Sequence, residues 1–343
     1  MSSPVQPAMP AVLVIAPDRG WTYVEEDVRI LSRHYRVEVV TRRDYPSRKQ
    51  FLPMLLRRFA ADRYALVYMW FADPYDSPYV VLLARLFRMK CAVVAGGYDV
   101  ASLPAIGYGG LSSTVNRWKV KTALLGAHVV LTSSHFLAAD VQRLGRVRGV
   151  RPLYPGVDCT YFTPGARQKE RLVVTVGSVI PIQWKRKGLD VFAECSKLLP
   201  DVRFVIVGRS PDADVAAELR GRGGENLELT GTHVSRQELL EWYQRAAVYA
   251  QLSQHEGFGV AVAEAMGCGC VPVAARVGAL PEVVGDAGFL VDQGNAGAAA
   301  GAITRAMESA LGPHARERVQ TLYPLERRER ELTEAMSTLL RAP

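Results

Sequence analysis

Residues 253–264 read Ser-Gln-His-Glu-Gly-Phe-Gly-Val-Ala-Val-Ala-Glu. Two carboxylates, Glu256 and Glu264, stand eight positions apart, with two glycines and an apolar run between them. Glutamates at this spacing occur on many surface helices, so the spacing alone says little. The residues between them say more. Gly257, Phe258 and Gly259 read as a loop, and the stretch from Val260 reads as an apolar helix, which puts Glu256 in the loop and Glu264 in the helix. At roughly 1.5 Å of rise per residue, Glu264 lies on the order of 7–8 Å beyond a helix start near Gly259. That start offers free N–H groups and a partial positive charge, which suits a phosphate. One acid then faces what lies beyond a diphosphate and the other what precedes it. A nucleotide-sugar has that layout of hexose, diphosphate and ribose.

The elements that must position these groups alternate along the chain. Short β-branched runs predict strands at 12–15, 37–41, 66–70, 92–95 and 129–132, then at 172–176, 203–207, 227–230, 248–251, 271–274 and 289–291. Helical windows lie between them, among them 79–87, 189–199, 236–245 and 298–311. Strands apolar on both faces and separated by helices predict parallel sheets covered on both sides, in two doubly wound, Rossmann-like domains. The pairs Pro155-Gly156 and Pro164-Gly165 mark a turn-rich join. In such sheets ligands bind beyond the carboxyl ends of the strands. Gly177 and Ser178 fall at one such end, followed by Lys185, Arg186 and Lys187; Gly208 ends the next strand, and His233 and Val234 follow the one after. Glycine there permits close backbone approach. Arg186 and Lys187 could neutralise a diphosphate and the charge that grows on it as a bond breaks.

Bulk properties narrow the reading. The 343 residues suffice for two ordinary domains, and 49% hydrophobic with 22% charged residues is a globular balance. The apolar runs are far shorter than the roughly 20 residues of a membrane span, and the amino terminus lacks a signal-peptide pattern, so a cytoplasmic location is expected. Five scattered cysteines argue against a disulfide framework; Cys268 and Cys270 read as small buried residues. The net charge of +8 divides into +9 over residues 1–165 and −1 over 166–343. With no nucleic-acid-binding motif beside it, the basic half points to an anionic or lipid-linked acceptor, to a soluble phosphorylated one, or to peripheral contact at the inner face of a membrane. The stretch 49–59 mixes apolar and basic residues and could lie on such a surface; the plainer reading is a helix packed on its own domain. Beyond Pro324, Leu325, Leu332, Met336 and Leu339 recur at helical spacing and need a partner surface.

The chain resembles the retaining glycosyltransferases of family 4, which have the GT-B fold. The resemblance rests on Val176-Gly-Ser, Lys187-Gly-Leu-Asp, Val205-Ile-Val-Gly, Glu256-Gly-Phe-Gly with Glu264-Ala-Met-Gly-Cys-Gly, and Gly278-Ala-Leu-Pro-Glu-Val-Val-Gly. Looser matches are Leu131-Thr-Ser-Ser and Pro155-Gly-Val-Asp with Phe162-Thr-Pro. The resemblance implies two domains facing a cleft. Residues 1–165 with 324–343 would form an acceptor domain, the last helix crossing back to it, and 166–323 a donor domain. It implies that Glu256 contacts the transferred sugar, that amides around Gly257, Phe258, Gly259 and Val260 hold sugar and phosphate, and that Glu264 accepts from ribose hydroxyls. Arg186 and Lys187 would bind the diphosphate, and the backbone near His233 and Val234 would face the base.

Departures from the pattern are specific. Ser178 stands where the family usually has arginine, so the basic run 185–187 would have to compensate. The first strand is followed by Pro17, Asp18, Arg19, Gly20 and Trp21 rather than a Gly-Gly loop, which makes Gly20 the candidate for approach to the diphosphate. Where a histidine often stands near the fourth strand, this chain has Gly96, Gly97, Tyr98 and Asp99; Asp99 reads either as a sugar or acceptor contact or as a turn residue. No metal or cofactor is expected, since Arg/Lys and a helix start can supply the positive charge. The expected function is a retaining, metal-independent hexosyl transfer from a nucleoside-diphosphate sugar to an acceptor hydroxyl. The alternatives are a nucleotide-sugar epimerase or phosphorylase on the same fold, and a non-catalytic nucleotide-sugar-binding module.

Overall fold

In the computed structural model, residues 9–342 are described, apart from Arg19 and Pro46. The chain divides into two compact units: residues 9–104, 109–153 and 328–342 form the first, and 105–108 with 154–327 the second. The expected boundary at 165/166 therefore lies at 153/154. The turn-rich stretch packs with the second unit because Phe162 enters its core and Val157 forms a parallel bridge to Pro324. The chain rejoins the first unit at Arg328 rather than at 324.

The first unit has strands β1 (Ala11–Ala16), β2 (Arg36–Thr41), β3 (Tyr64–Trp70), β4 (Lys90–Ala95), β5 (Val129–Thr132) and β6 (Val150–Pro152), in the order β2-β1-β3-β4-β5-β6. All pairings are parallel. Its helices are α1 (Thr22–Ser32), α2 (Arg48–Ala61), α3 (Ser77–Leu86), α4 (Thr114–Gly126) and α5 (His135–Leu144). The predicted strands are present. β6 went unseen because it is three residues long, half-exposed, and ends in a proline, as an edge strand can. α2 buries Phe51, Leu55 and Phe59 in the core of its own unit, as the plainer reading of that stretch holds. Arg42 and Arg48 pair with Asp76, and Arg58 with Glu38.

The second unit has β7 (Glu170–Val176), β8 (Arg203–Arg209), β9 (Leu227–Gly231), β10 (Ala246–Gln251), β11 (Val271–Ala275) and β12 (Phe289–Val291), also parallel, in the order β12-β11-β10-β7-β8-β9. Its helices are α6 (Pro181–Lys187), α7 (Leu189–Leu198), α8 (Ala213–Arg222), α9 (Arg236–Arg245), α10 (Val260–Gly267), α11 (Leu280–Val284), α12 (Ala296–Glu308) and α13 (Gly312–Leu322). One core, around Tyr243, Tyr249 and Met266, covers one face of the sheet, and a second, around Phe192, Phe204 and Ile303, covers the other. Covering both faces explains why these strands read as continuous apolar runs. The strand order reverses between β7 and β10, which makes the carboxyl ends of these two strands the expected ligand site. The last helix, α14 (Leu325–Arg341), buries the predicted stripe of Leu325, Leu332, Met336 and Leu339. Among the described residues no helix is long and apolar enough to cross a membrane.

Candidate active site

β10 ends at Gln251, and the chain then turns through a buried loop before α10 begins. Glu256 lies in that loop and is only 8% exposed. Its Oε1 accepts from Lys187 Nζ at 3.0 Å, Gln251 Nε2 and Ser253 Oγ at 3.1 Å each, and Arg186 Nη1 at 3.3 Å. All four donors meet one oxygen. Burial raises the cost of charging this carboxyl, but Lys187 and Arg186 outweigh it and hold it down at about 2. Burial pulls Lys187 below the ordinary lysine value, and Arg186 adds to that pull while Glu256 opposes it. With all three groups ionised, one positive charge remains unbalanced in a buried place. Such a cluster attracts an anion.

The cations reach this point because α6 ends there. Sequence analysis placed them only after the end of β7; the structure puts Lys185, Arg186 and Lys187 in the last turn of a short helix, where cations suit the exposed carbonyls. Gln254 fastens that turn to the Glu256 loop, its N–H donating to the Arg186 carbonyl at 2.7 Å and its Nε2 to the Lys185 carbonyl at 3.1 Å. Arg186 is itself aimed by Gln183 Oε1, at 2.8 Å from Nη2, and by the His255 carbonyl, at 3.1 Å from Nη1. The Tyr108 ring lies 5.2 Å from its guanidinium carbon. Two glycines allow the packing. Gly188, at φ +64°, joins α6 to α7, and a Cβ there would sit 1.9 Å from the Leu252 carbonyl oxygen. Gly278, at φ +56°, lies so close to the loop that a Cβ would be 2.2 Å from the Glu256 carbonyl oxygen.

Gly257, Phe258 and Gly259 are buried and lead into α10, with Gly259 at φ +97° before its first residue, Val260. The Phe258 ring packs on Tyr154 and Tyr323, so it is the backbone of this turn that fronts the helix start. Glu264 lies within α10, in a different environment. Its Oε2 accepts from Tyr243 Oη at 3.4 Å, and apolar surroundings push its carboxyl up to about 7 against the weaker pull of Arg236 and Tyr243. Ser178 follows β7, half-buried, while Gly208 of β8 comes so near that a Cβ would be 2.5 Å from the Gly177 carbonyl oxygen. His233 is exposed and Val234 half-buried, just beyond β9.

Two predicted residues belong to the first unit. The Gly20 amide donates to Asp18 Oδ1 at 3.3 Å, and a Cβ at Gly20 would meet nothing within 4 Å. Asp99 is fully buried. Its Oδ1 accepts from the Gly97 amide and its Oδ2 from the Ala72 amide, each at 2.9 Å, which ties together the turns after β3 and β4. This geometry favours the turn reading of Asp99. Burial still pushes its carboxyl up to about 6, against those amides.

The structure thus brings Glu256, Arg186 and Lys187 onto one oxygen beside the turn of Gly257, Phe258 and Gly259. Gln251, Ser253, Gln183 and Tyr108 join this site without being marked by the motifs. The first two stand only five and three residues before Glu256, and polar side chains at the end of an apolar strand run were the available signal. Tyr108 carried none, being remote in sequence from Arg186.

Comparisons with known proteins bear on the same part of the chain. Residues 170–309 match the family model described as glycosyl transferases group 1. The chain is 34% identical over 262 residues to D-inositol 3-phosphate glycosyltransferase of Mycolicibacterium vanbaalenii, covering 68% of this chain and 55% of that protein. The chain carries a group 1 glycosyl transferase domain. It spans about half the length of the curated relatives it matches, the Xylanimonas cellulosilytica protein of the same name included, at 31% identity and 56% coverage. Sucrose-phosphate synthase from Thermosynechococcus elongatus has a similar structure, with a TM-score of 0.83 at 19% identity over 97% of this chain and 100% of that one. Anabaena HepE in complex with UDP-glucose gives 0.76 at 19% identity, over 96% and 99%. The fold is GT-B, two parallel six-stranded units with flanking helices.

Proposed function

We propose that this protein transfers a hexosyl group from a nucleoside-diphosphate sugar to an acceptor hydroxyl, with retention and without a metal ion. The observation that carries the reading is the buried meeting of Glu256 with two cations at the strand-order reversal, beside the start of α10. Arg186 and Lys187 bind the diphosphate and take up the negative charge that grows on it as the C1–O bond breaks. They leave Glu256 in part for the phosphate oxygens, and Glu256 positions the sugar through its hydroxyls. The amides of Gly257, Phe258, Gly259 and Val260 hold sugar and phosphate, and Ser178 and Gly208 border the diphosphate. Glu264 accepts from the ribose, and the backbone at His233 and Val234 faces the base.

The new bond forms between the acceptor oxygen and C1 on the face the leaving group vacates, and the acceptor proton passes to an oxygen of the departing diphosphate. Glu256 does not attack, since a buried carboxylate held by four donors is a poor nucleophile. Retention by two carboxylates would need the pair about 5–5.5 Å apart around the bond, whereas Glu264 has its own surroundings within α10. The second unit takes the donor and the first the acceptor. The UDP-glucose complex of HepE supports UDP-glucose as the first donor to try, and the names of the curated relatives support an inositol phosphate as the first acceptor.

The test pairs thermal shift against UDP, GDP, ADP and dTDP with transfer from the matching sugar donors, reading product anomer by NMR. Glu256→Ala should lose transfer by at least ~100-fold, the scale of a lost transition-state contact, while still binding the nucleoside diphosphate. Full activity in that variant overturns the assignment. Epimerised donor without acceptor, or phosphorolysis of a glycoside, would replace it with another activity on this fold, and nucleotide binding without any turnover would leave a binding module.

A further inference from the structure

α3 and α4 of the first unit each turn an apolar row to solvent. On α3 the row is Tyr79, Leu82 and Leu86, at i, i+3 and i+7; on α4 it is Val115, Trp118 and Leu125, at i, i+3 and i+10. Leu86 is 71% exposed, Trp118 66% and Leu82 65%. A single exposed leucine is ordinary, but six large apolar side chains exposed on two adjoining helices are not. The helices adjoin closely. A Cβ at Gly126 of α4 would lie 2.6 Å from Val81 Cγ1 of α3, and Arg85 Nε of α3 donates to the Gly126 carbonyl at 2.6 Å.

The charge carried by the two helices themselves has one sign. Arg85, Arg88 and Arg117 are exposed, with Lys119 half-buried among them. Between Asp76 and Asp140 the only acid in the sequence is Asp99, which is fully buried and occupied by backbone amides. The basic stretch of α2 differs. Of its apolar residues Phe51, Leu55 and Phe59 are buried and Leu56 alone among the large ones is exposed, and Arg48 and Arg58 have acidic partners.

We propose that the α3–α4 face is a docking surface for an anionic lipid bilayer. The leucines and Trp118 enter the headgroup–acyl boundary, and the arginines and Lys119 meet the lipid phosphates. Charge selects this occupant over a second copy of the chain. A two-fold contact through this face would set cations against their own counterparts with no acid to receive them.

The experiment is co-sedimentation of the full chain with phosphatidylcholine vesicles, with and without phosphatidylglycerol, at low and high salt. Binding to the phosphatidylglycerol vesicles is expected, falling with salt and absent on phosphatidylcholine alone. Leu86→Ser with Trp118→Ser should weaken it on the order of tenfold or more, and Arg88→Gln or Arg117→Gln by about fivefold per charge. All of these positions are exposed, so the thermal midpoint should hold and misfolding is told apart from lost binding. No binding to anionic vesicles, or binding the variants leave unchanged, overturns the proposal. So does a doubling of mass in solution that the Leu86/Trp118 variant abolishes, which would assign the face to a dimer.

Discussion

Glu256 and Glu264 are one side-chain type in opposite electrical surroundings. Two cations hold Glu256 ionised down to about 2, while apolar packing lifts Glu264 to about 7. The consequences for stability have opposite signs. Glu256 contributes stability that is present above its ordinary value of 4.5 and is lost as pH falls toward 2. For Glu264 the folded state keeps a proton that the unfolded state releases, so its contribution is present below 4.5 and is lost as pH rises to 7. Glu264→Gln removes that loss. The stability of the variant relative to the parent should therefore rise between pH 4.5 and 8, by at most about 3 kcal/mol, measured by thermal or denaturant unfolding across that range. A flat difference would mean that Glu264 is ionised throughout. That two acids flank the turn and the helix start is visible in their motif. That one loses its proton far below neutral pH and the other only near it is not, because proton affinity depends on neighbours the motif does not name.

At the scale of elements, the site is a loop held between two helix ends, and Gly278 is the close fit. Its residue φ of +56° and its approach to the Glu256 carbonyl oxygen both exclude a side chain. The next amide, of Ala279, donates to that same oxygen at 3.0 Å. Gly278→Ala adds the left-handed penalty of about 1–2 kcal/mol to a backbone clash. The loop should yield before the sheet does. The expected result is loss of transfer activity on the order of that of Glu256→Ala, with most of the parent circular-dichroism spectrum retained; unchanged kinetics would show that the loop tolerates displacement. The strands and most helices were legible because a doubly wound unit repeats its pattern locally, and strands buried on both faces leave continuous apolar runs. The run 185–187 was read as a basic cluster after a strand, since a short helix offers too few turns to show a period.

The whole molecule depends on contacts between distant parts of the sequence. Arg328, where the chain rejoins the first unit, is buried at 4% exposure and forms a two-pronged pair with Asp27 of α1, at 2.7 Å from Nε and 2.8 Å from Nη2. Tyr68 of β3 donates to the same carboxylate at 2.6 Å, and Arg328 Nη1 reaches the Leu153 carbonyl at 3.2 Å. Arg328→Met leaves a buried carboxylate without its cation and should cost about 3–5 kcal/mol. Adding Asp27→Leu removes the stranded charge and should recover a large part of that loss. Denaturant unfolding of the single and double variants checks both numbers, and a single variant as stable as the parent would remove the anchoring role of the pair.

By itself the sequence determined the alternation of strands and helices, the two-unit plan and the residues proposed for a sugar diphosphate, because these follow from local periodicity and from motifs a few residues long. Tertiary structure alone decided that Glu256, Arg186 and Lys187 share one oxygen, that Asp99 closes a turn, and that the exposed apolar face lies on α3 and α4 rather than α2. Each of these depends on which strand ends lie side by side and which helix face is covered. That is set by the strand order and the packing of the whole chain, not by any stretch of residues read alone.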